Sequence, residues 1–315
     1  MNKNQFLIQP DVRDFVKWLG GNLPTMPVHL KIKRSNFVPQ EIDCTVQGIE
    51  EVQAKYQWGG DWEAAKAELR RLRIQLRLAI RARDELATYA ACEAILAWGN
   101  VDGAVDFLKE QLRNKSLVNY LKQIRPLLAL DGHQCLSHLT KQNILRFDSG
   151  MTKIHSLLDT TGSPIYDGRV GAAIALLYHM YRQASCANTP VALDWAWGPG
   201  KGAQIRDPKH LKLGYEGTPQ LSTGSRHLWA RRQLQLGWII REVLRETELF
   251  AELPRLVDRC HAFEAGLFML GYDLRCLVPN GYAISVPSKP AYRVGGKTST
   301  TKSGKLRANG MPTGL

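Results

Sequence analysis

The stretch DSGMTKIHSLLDTTGSPIYDGRVGAAIALLYHM, residues 148–180, decides how the fold is interpreted. Apolar residues recur at helical spacing on both sides of a central polar loop, which predicts two consecutive helices. Lys153 lies at the start of the first predicted helix, and Asp167 lies at the start of the second. An amine and a carboxylate are therefore expected at two helix beginnings, where backbone N–H groups have no partner within the helix.

The chemistry open to this pair is specific. A lysine near the positive end of a helix dipole is biased towards the neutral amine, which is nucleophilic. An aspartate in the same position is held ionised and can stabilise a sugar cation or activate water, as carboxylates do in glycoside hydrolysis. The turn that contains Ser149, Gly150 and Thr152 offers N–H groups to a phosphate. The alternatives are that Asp167 is only a helix cap and that Lys153 only contacts a phosphate.

The composition indicates a globular protein with a polyanionic partner. Of 315 residues 44% are hydrophobic, and 42 Lys and Arg face 29 Asp and Glu, a formal net charge of +13. This balance favours a polyanionic partner, and the alternative is a soluble protein that is merely basic. The six cysteines are scattered without a CxxC pair, which argues against a zinc site or a disulfide framework. No signal peptide or membrane-spanning apolar run is visible, so we expect a cytoplasmic protein that needs no membrane, metal or cofactor.

The chain divides into four predicted parts. Residues 1–60 form a β-containing segment, since VHLKIKRS and IDCTVQGI alternate and are rich in β-branched residues. Residues 61–280 carry helical periodicity and form the helical domain. Residues 281–294 alternate and predict a strand pair, and residues 295–315 form a flexible basic tail. The helices of the domain are predicted near 61–98, 101–112, 115–129, 133–147, 224–248 and 251–270. The predicted class is mainly α, with small β additions near both ends.

Two basic stretches are predicted to contact the DNA backbone. After residue 61, basic residues recur every three or four positions and include Arg70, Arg73 and Arg77. A helix with one apolar face and one arginine-rich face suits a phosphate backbone, and a solvated face is the alternative. Further along, STGSRHLWARRQ (222–233) places Arg226 and Arg231 near a helix start, which is another place for a phosphate.

The segments NILRFDSGMTKIHSLL and PIYDGRV resemble the helix–hairpin–helix DNA glycosylase superfamily, which contains endonuclease III and the 8-oxoguanine glycosylases. In that superfamily a glycine-bearing hairpin between two helices precedes a lysine, and a P-apolar-x-D-x-x-V segment then carries the essential aspartate. The resemblance covers roughly residues 115–182. It implies that Asp167 is catalytic, and that strand-cleaving lyase activity depends on Lys153 lying in the pocket. The matching residues are Gly150, Lys153, Pro164, Ile165, Asp167 and Val170.

The loop WAWGPGKGAQIRD, residues 195–207, supplies candidates for receiving an extruded base. An enzyme that extrudes a base needs an aromatic surface to stack on it and polar groups to contact its edge. The alternative is that the tryptophans anchor an ordered loop in the core. The candidates are Trp195, Trp197 and Tyr166 for stacking, Asp194 and Gln204 for the base edge, and Lys201 for the DNA backbone.

These observations predict a mainly α DNA glycosylase with a helix–hairpin–helix glycosylase-like helical body. The pattern is similar to bacterial proteins with an 8-oxoguanine-glycosylase-like fold, some of which resemble anti-phage enzymes acting on hypermodified cytosines. The resemblance implies hydrolysis of the N-glycosidic bond of a flipped-out modified base, such as a glucosylated cytosine in phage DNA, as antiviral defence. One alternative is a non-catalytic DNA-binding protein on the same fold. Another is a scaffold of a defence complex that docks through its basic tail.

Overall fold

The computed structural model describes residues 1–132, 134–186, 188–200 and 203–286. Within these ranges helices predominate and one pair of strands lies near the N-terminus, which confirms that the chain is mainly α. The strands are β1 (Pro27–Ile32) and β2 (Ile42–Gln47). The helices are α1 (Lys3–Leu7), α2 (Pro10–Asn22), α3 (Gly48–Ala54), α4 (Trp62–Ala82), α5 (Glu85–Trp98), α6 (Val105–Arg113), α7 (Leu117–Leu128), α8 (Met151–Leu158), α9 (Gly168–Ala184), α10 (Arg226–Glu246) and α11 (Leu256–Leu270).

The two strands form an antiparallel hairpin where the alternating sequence predicts it. The register runs from Pro27 opposite Gln47 to Ile32 opposite Ile42. Alternate residues of β1 are buried and exposed, as expected for a strand with one face on the core. The segment 33–41 that joins the strands carries two basic side chains, Lys33 and Arg34, and one aromatic side chain, Phe37.

Two helices precede the hairpin, and the alternation of residues 1–60 does not predict them. Pro10 occupies the first turn of α2, where the missing N–H group is not needed. Val12, Phe15, Val16 and Leu19 follow at helical spacing and are buried. This face packs against α10, so the N-terminal segment shares its core with the helical part of the chain.

Helices α8 and α9 are the most enclosed elements near the middle of the fold. All eight residues of α8 are buried, and so are ten residues of α9. α11 packs against α3, α9 and α10, while α4 packs against α5 and α8. The starts of α8 and α9 are therefore held from several sides, which fixes the two residues that lie there. No helix in the described ranges is both long enough and apolar enough to cross a membrane.

The helix predicted over residues 133–147 is wrong. In the described part of this segment there is only a 3₁₀ turn at Leu136–His138. The side chain of Asn143 accepts a hydrogen bond from the backbone N–H of Thr140, and the Thr140 hydroxyl accepts one from Gln142 N–H. Such local side-chain bonds compete with helical backbone bonds. As a result, Gly150 follows an irregular segment, and no short hairpin joins two helices at this point.

The predicted strand pair at residues 281–294 does not begin as a strand. Gly281–Ala283 form a 3₁₀ turn instead, and no strand is present between residues 281 and 286. Residues 287–294 and the basic tail at 295–315 lie outside the described residues. The helical region predicted over 61–98, as one helix or two, is present as the two helices α4 and α5, and each begins after an aspartate that caps it, Asp61 and Asp84.

Candidate active site

The structure brings Lys153 and Asp167 together. The Lys153 Nζ lies 3.8 Å from Oδ2 of Asp167, and both side chains are less than a tenth exposed. The other carboxylate oxygen, Oδ1, accepts hydrogen bonds from the backbone N–H groups of Arg169 (2.9 Å) and Val170 (3.2 Å). One oxygen of Asp167 thus caps α9, and the other remains for Lys153 and for a ligand. The Lys153 amine also donates to the backbone oxygen of Ser149 at 2.9 Å.

Two glycines allow α8 to present Lys153 in this position. A Cβ atom on Gly99, which follows α5, would lie 2.6 Å from Cδ of Lys153, so only glycine leaves room for the lysine stem. A Cβ on Gly150 would lie 2.5 Å from Cδ2 of Leu96, so this glycine lets the start of α8 pack directly on α5. Both approaches are closer than side-chain atoms tolerate without displacement.

The turn before α8 differs from the predicted phosphate site. The Asp148 carboxylate accepts hydrogen bonds from the N–H groups of Gly150 (2.9 Å) and Met151 (3.0 Å). These backbone donors are therefore already occupied, and a phosphate would have to displace a carboxylate. Thr152 is fully buried, and its hydroxyl donates to Gln233 at 2.5 Å. Ser149 lines the cavity described below, but Thr152 has no access to a DNA backbone.

A second pair of glycines brings the 190–207 loop to the start of α9. A Cβ on Gly168 would lie 2.7 Å from Cα of Gly198, and the Gly198 N–H donates to the Gly168 oxygen at 3.1 Å. The two backbones can touch because neither residue has a side chain. This contact places Gln204 and Arg206 on the same cavity as Asp167.

A cavity of about 1120 Å³ lies beside the amine and the carboxylate. Its described lining carries seven basic side chains but only two carboxylates, those of Asp167 and Asp273. The basic residues are Lys31, Lys33, Arg34, Lys153, Arg169, Arg206 and Arg275. The aromatic residues are Phe37, Trp58, Phe268, Tyr272 and Tyr282. A cavity of this composition suits a ligand that combines a flat ring with negative charge.

The pKa values of the central groups are displaced in ways that follow from burial and neighbouring charge. Burial lowers the pKa of Lys153, and Asp167 partly opposes this effect. Burial raises the pKa of Asp167, but Lys153 and Arg169 outweigh it and leave that pKa below its ordinary value. Burial and the Asp167 charge raise the pKa of Glu264 to about 8. Near neutral pH the site therefore holds an ionised Asp167 and a protonated Glu264.

Sequence reasoning missed Glu264, although a signal was present. It is the lone acid in CHAFEAGLFML, residues 260–270, where all the residues except His261 are buried in α11. A single carboxyl group in an apolar helix is unusual and often marks a functional site. Arg169, two positions after Asp167, was missed as well. Its guanidinium carbon lies 4.4 Å from the ring centre of Tyr272, 4.7 Å from Phe268 and 4.9 Å from Trp58.

The residues proposed to stack on a base are placed away from the cavity. Tyr166 is fully buried, its hydroxyl donates to the Ala196 oxygen at 3.0 Å, and its ring packs on Trp195 with centres 6.1 Å apart. Trp197 is partly buried, and its indole N–H donates to the Thr218 oxygen at 3.0 Å. These rings anchor the loop in the core, which is the alternative that the sequence left open.

The two residues proposed to contact the base edge are separated by the fold. Asp194 is exposed and forms an ion pair with Arg232 at 2.7 Å, on the outer side of the loop. Gln204 lines the cavity, and its side-chain oxygen accepts a hydrogen bond from Arg206 at 2.8 Å. Lys201, proposed for the DNA backbone, lies outside the described residues. Only Gln204 of this group is shown to share the cavity with Asp167.

Most of the arginines proposed for the DNA backbone have partners within the protein. Arg226 donates to the oxygen of Ile144 (2.6 Å), and Arg231 donates to the oxygen of Leu139 (3.1 Å), so both hold the irregular 129–150 segment. Guanidinium groups that bind backbone carbonyls in this way act first as structural clamps.

The arginine stripe of α4 is similarly divided. Arg73 is partly buried and contacts the imidazole of His261 at 3.0 Å. Arg77 donates to the backbone oxygen of Asp159. Of the three arginines proposed on this helix, only Arg70 is exposed. Arg73 and Arg77 therefore turn towards α11 and the end of α8, and of these three arginines Arg70 keeps a position that a DNA backbone can reach.

The arrangement is a buried amine–carboxylate pair beside a basic cavity with aromatic walls. It can bind a flat, negatively charged ligand, and its ionised carboxylate can stabilise positive charge that develops during a reaction. No protein-family model, curated protein or solved structure matches the chain.

Proposed function

We propose that the protein is a DNA glycosylase that excises a modified base, with Asp167 as the catalytic carboxylate. The observation that carries this proposal is that the two carboxylate oxygens of Asp167 have different partners. Oδ1 is held by the start of α9, while Oδ2 is 3.8 Å from Lys153 in the wall of a large basic cavity. A helix cap alone needs neither the buried amine nor the cavity.

In the proposed reaction the target nucleotide leaves the DNA stack and enters the cavity. Its base stacks on the aromatic wall, where the rings of Phe37 and Trp58 lie parallel with centres 4.4 Å apart. The bond between C1′ and the base nitrogen breaks, and the base leaves with the electron pair and takes up a proton from solvent. Oδ2 of Asp167 stabilises the sugar cation, and water then adds to C1′ as its proton passes to Asp167.

Two roles are available to Lys153 in this proposal. A neutral amine can attack C1′ and form a Schiff base, which leads to strand cleavage. A charged amine instead keeps Asp167 ionised at the moment that the sugar becomes cationic. The lowered pKa of Lys153 supports the first role, and the close carboxylate supports the second.

The size of the cavity supports a bulky modified base as the substrate. Ordinary small-molecule sites occupy roughly 300–1000 Å³, and this cavity measures about 1120 Å³. An unmodified pyrimidine would leave much of it unfilled. We therefore propose a hypermodified cytosine, such as a glucosylated one in phage DNA, and a role in bacterial antiviral defence.

The test is to incubate the purified protein with duplexes that carry normal, oxidised, alkylated, hydroxymethylated or glucosylated bases and to score abasic sites. Asp167→Asn keeps an Oδ1 that can cap α9, so the fold is retained while the ionised carboxylate is lost. Asp84→Asn is the matched control, because Asp84 caps α5 in the same way and does not line the cavity. Abasic sites in one class of DNA, lost only in Asp167→Asn, support the proposal.

A second candidate is a DNA-binding protein without catalytic activity. The observation in its favour is that Asp167 has a complete structural role as the cap of α9. This candidate predicts that every duplex is bound, that none acquires an abasic site, and that Asp167→Asn and Asp84→Asn behave alike. A plaque assay with phage that carry modified or unmodified cytosine separates a defence role from a general repair role.

A further inference from the structure

We propose that Arg169 and Arg206 form an anion-binding subsite inside the cavity. The ligand chemistry is a compact oxyanion, which in the substrate is a phosphodiester beside the extruded nucleotide or an acidic substituent on its base. The assignment of this anion to a DNA substrate rests on the proposed function. The binding of an oxyanion by the two arginines does not, and it is measured separately.

The first observation concerns Arg169. Tyr272, Phe268 and Trp58 surround its guanidinium at 4.4 to 4.9 Å and cover it with ring surface. Rings stabilise the charge of an arginine, but they do not accept the strong hydrogen bonds that its N–H groups offer. Among the described residues the buried Nε of Arg169 has no hydrogen-bond partner. Its nearest carboxylate oxygen, in Asp167, is 4.0 Å away, beyond hydrogen-bond length.

The second observation concerns Arg206, which is 8% exposed. Two of its nitrogens are fixed by the protein, through bonds to the oxygen of Pro199 (3.1 Å) and to the side chain of Gln204 (2.8 Å). Its Nε is buried and has no partner in the described part of the chain. A Cβ on Gly200 would lie 3.3 Å from this nitrogen, so glycine at this position keeps a side chain from packing against it. Arg206 is therefore held by two hydrogen bonds while its buried Nε–H has no acceptor among the described residues.

The charge balance of the cavity leads to the same ligand. Arg275 is paired with Asp273 at 2.6 Å, whereas the single carboxylate of Asp167 lies 3.8 Å from Lys153 and 4.0 Å from Arg169 and so faces two cations. Arg169 and Arg206 share the cavity without a carboxylate at hydrogen-bond distance from either, among the described residues. Burial, together with the charge of Arg169, lowers the pKa of Arg206 to about 10. Buried charges and orphaned donors are costly, and a bound oxyanion satisfies both at once.

The test uses inorganic phosphate as the probe and the full chain as the protein. Phosphate binding is measured by isothermal titration calorimetry at constant ionic strength for wild type, Arg169→Met, Arg206→Met and Arg34→Met. Arg34 lines the same cavity but is exposed, so Arg34→Met removes one charge outside the subsite. We expect saturable binding that weakens about tenfold or more in the first two variants and little in the third. If Arg206→Met does not fold, Arg206→Lys replaces it with the same expectation, since lysine has no Nε donor at that point. Absence of saturable binding, or equal binding in all variants, would overturn the subsite.

Modified DNA then identifies the source of the anion. If a phosphodiester occupies the subsite, a neutral methylphosphonate at one phosphate beside the target weakens wild-type binding and has no further effect in Arg169→Met. If a substituent occupies it, a carboxylated base is bound better than a hydroxymethylated one, and Arg169→Met removes this preference. If the DNA is still bound but neither of these two effects is observed, the subsite is rejected as part of substrate recognition. Phosphate binding without abasic sites would retain the subsite and reject the proposed glycosylase activity. Abasic sites without phosphate binding would reject the subsite and retain the glycosylase activity.

Discussion

Gly99 lies against the stem of Lys153, so that a Cβ atom at position 99 would be 2.6 Å from Cδ and 2.7 Å from Cε of the lysine. The end of α5 therefore determines where the amine of α8 can lie. A residue 54 positions away in sequence acts on the candidate active site without containing any reactive group. This relationship makes the lysine position testable without changing the lysine itself.

Gly99→Ala should displace the Lys153 side chain from Asp167. We expect a destabilisation of about 1–3 kcal/mol from overpacking and a loss of any activity that depends on the amine. Denaturant unfolding and the abasic-site assay measure the two effects. Gly21→Ala, in α2, is the matched control, because nothing lies within 4 Å of a Cβ there. Equal behaviour of the two variants would contradict the crowding at Gly99.

Lys153→Met should move the acid limb of the pH–activity profile to higher pH. Activity requires ionised Asp167 and is lost as the pH falls through its pKa. Lys153 is the first of the neighbouring charges that counter the effect of burial on that pKa. Without the amine the pKa of Asp167 rises, so protonation begins at a less acidic pH. Lys153→Arg retains the charge and should leave the limb closer to that of wild type. If the acid limb of the Lys153→Met profile stays at the wild-type pH, Lys153 does not control the ionisation of Asp167.

Glu264→Gln should reduce the loss of stability at alkaline pH. A glutamate in the unfolded chain titrates near 4.5, whereas the folded protein holds the Glu264 proton up to about pH 8. Between these values the folded state binds more protons than the unfolded state, so the free energy of unfolding falls as pH rises. The neutral amide does not titrate. Between about pH 5 and about pH 9 wild type should lose on the order of a few kcal/mol more than the variant. Parallel pH dependences would show that Glu264 is not held protonated.

Replacing Arg77 and Arg70 on α4 should have different effects: the Arg77 variant should lose stability, and the Arg70 variant should lose a DNA contact. Arg77→Gln removes a donor from the buried carbonyl of Asp159, and we expect it to lower stability by about 1–3 kcal/mol. Arg70→Gln should change stability by less than about 0.5 kcal/mol, because Arg70 is exposed. If Arg70 contacts a phosphate, its loss reduces the salt dependence of DNA binding by about one counterion. An unchanged salt dependence in Arg70→Gln would leave no DNA contact among the three arginines proposed on α4.

The helices that repeat an apolar face over several turns could be predicted from the sequence. A short side-chain oxygen caps the helix that follows it, as those of Asp61 and Asp84 do for α4 and α5. The same rule placed Asp167 at the start of α9. The helical pattern misled over 133–147, where Thr140 and Asn143 bond to the backbone locally and replace helical bonds.

What the sequence by itself determined was therefore local: mainly helical structure, a hairpin at 27–47, and an amine and a carboxylate at the starts of two successive helices. Only the tertiary structure decided which residues join them. Trp58, Arg169, Arg206 and Tyr272 come from separate segments and line one cavity because α9, α11 and the 190–207 loop pack together. It also decided that Tyr166 and Trp195 belong to the core. Helix periodicity and capping depend on residues a few positions apart, whereas the walls of a cavity depend on contacts between distant segments, and burial of the whole chain selects those contacts.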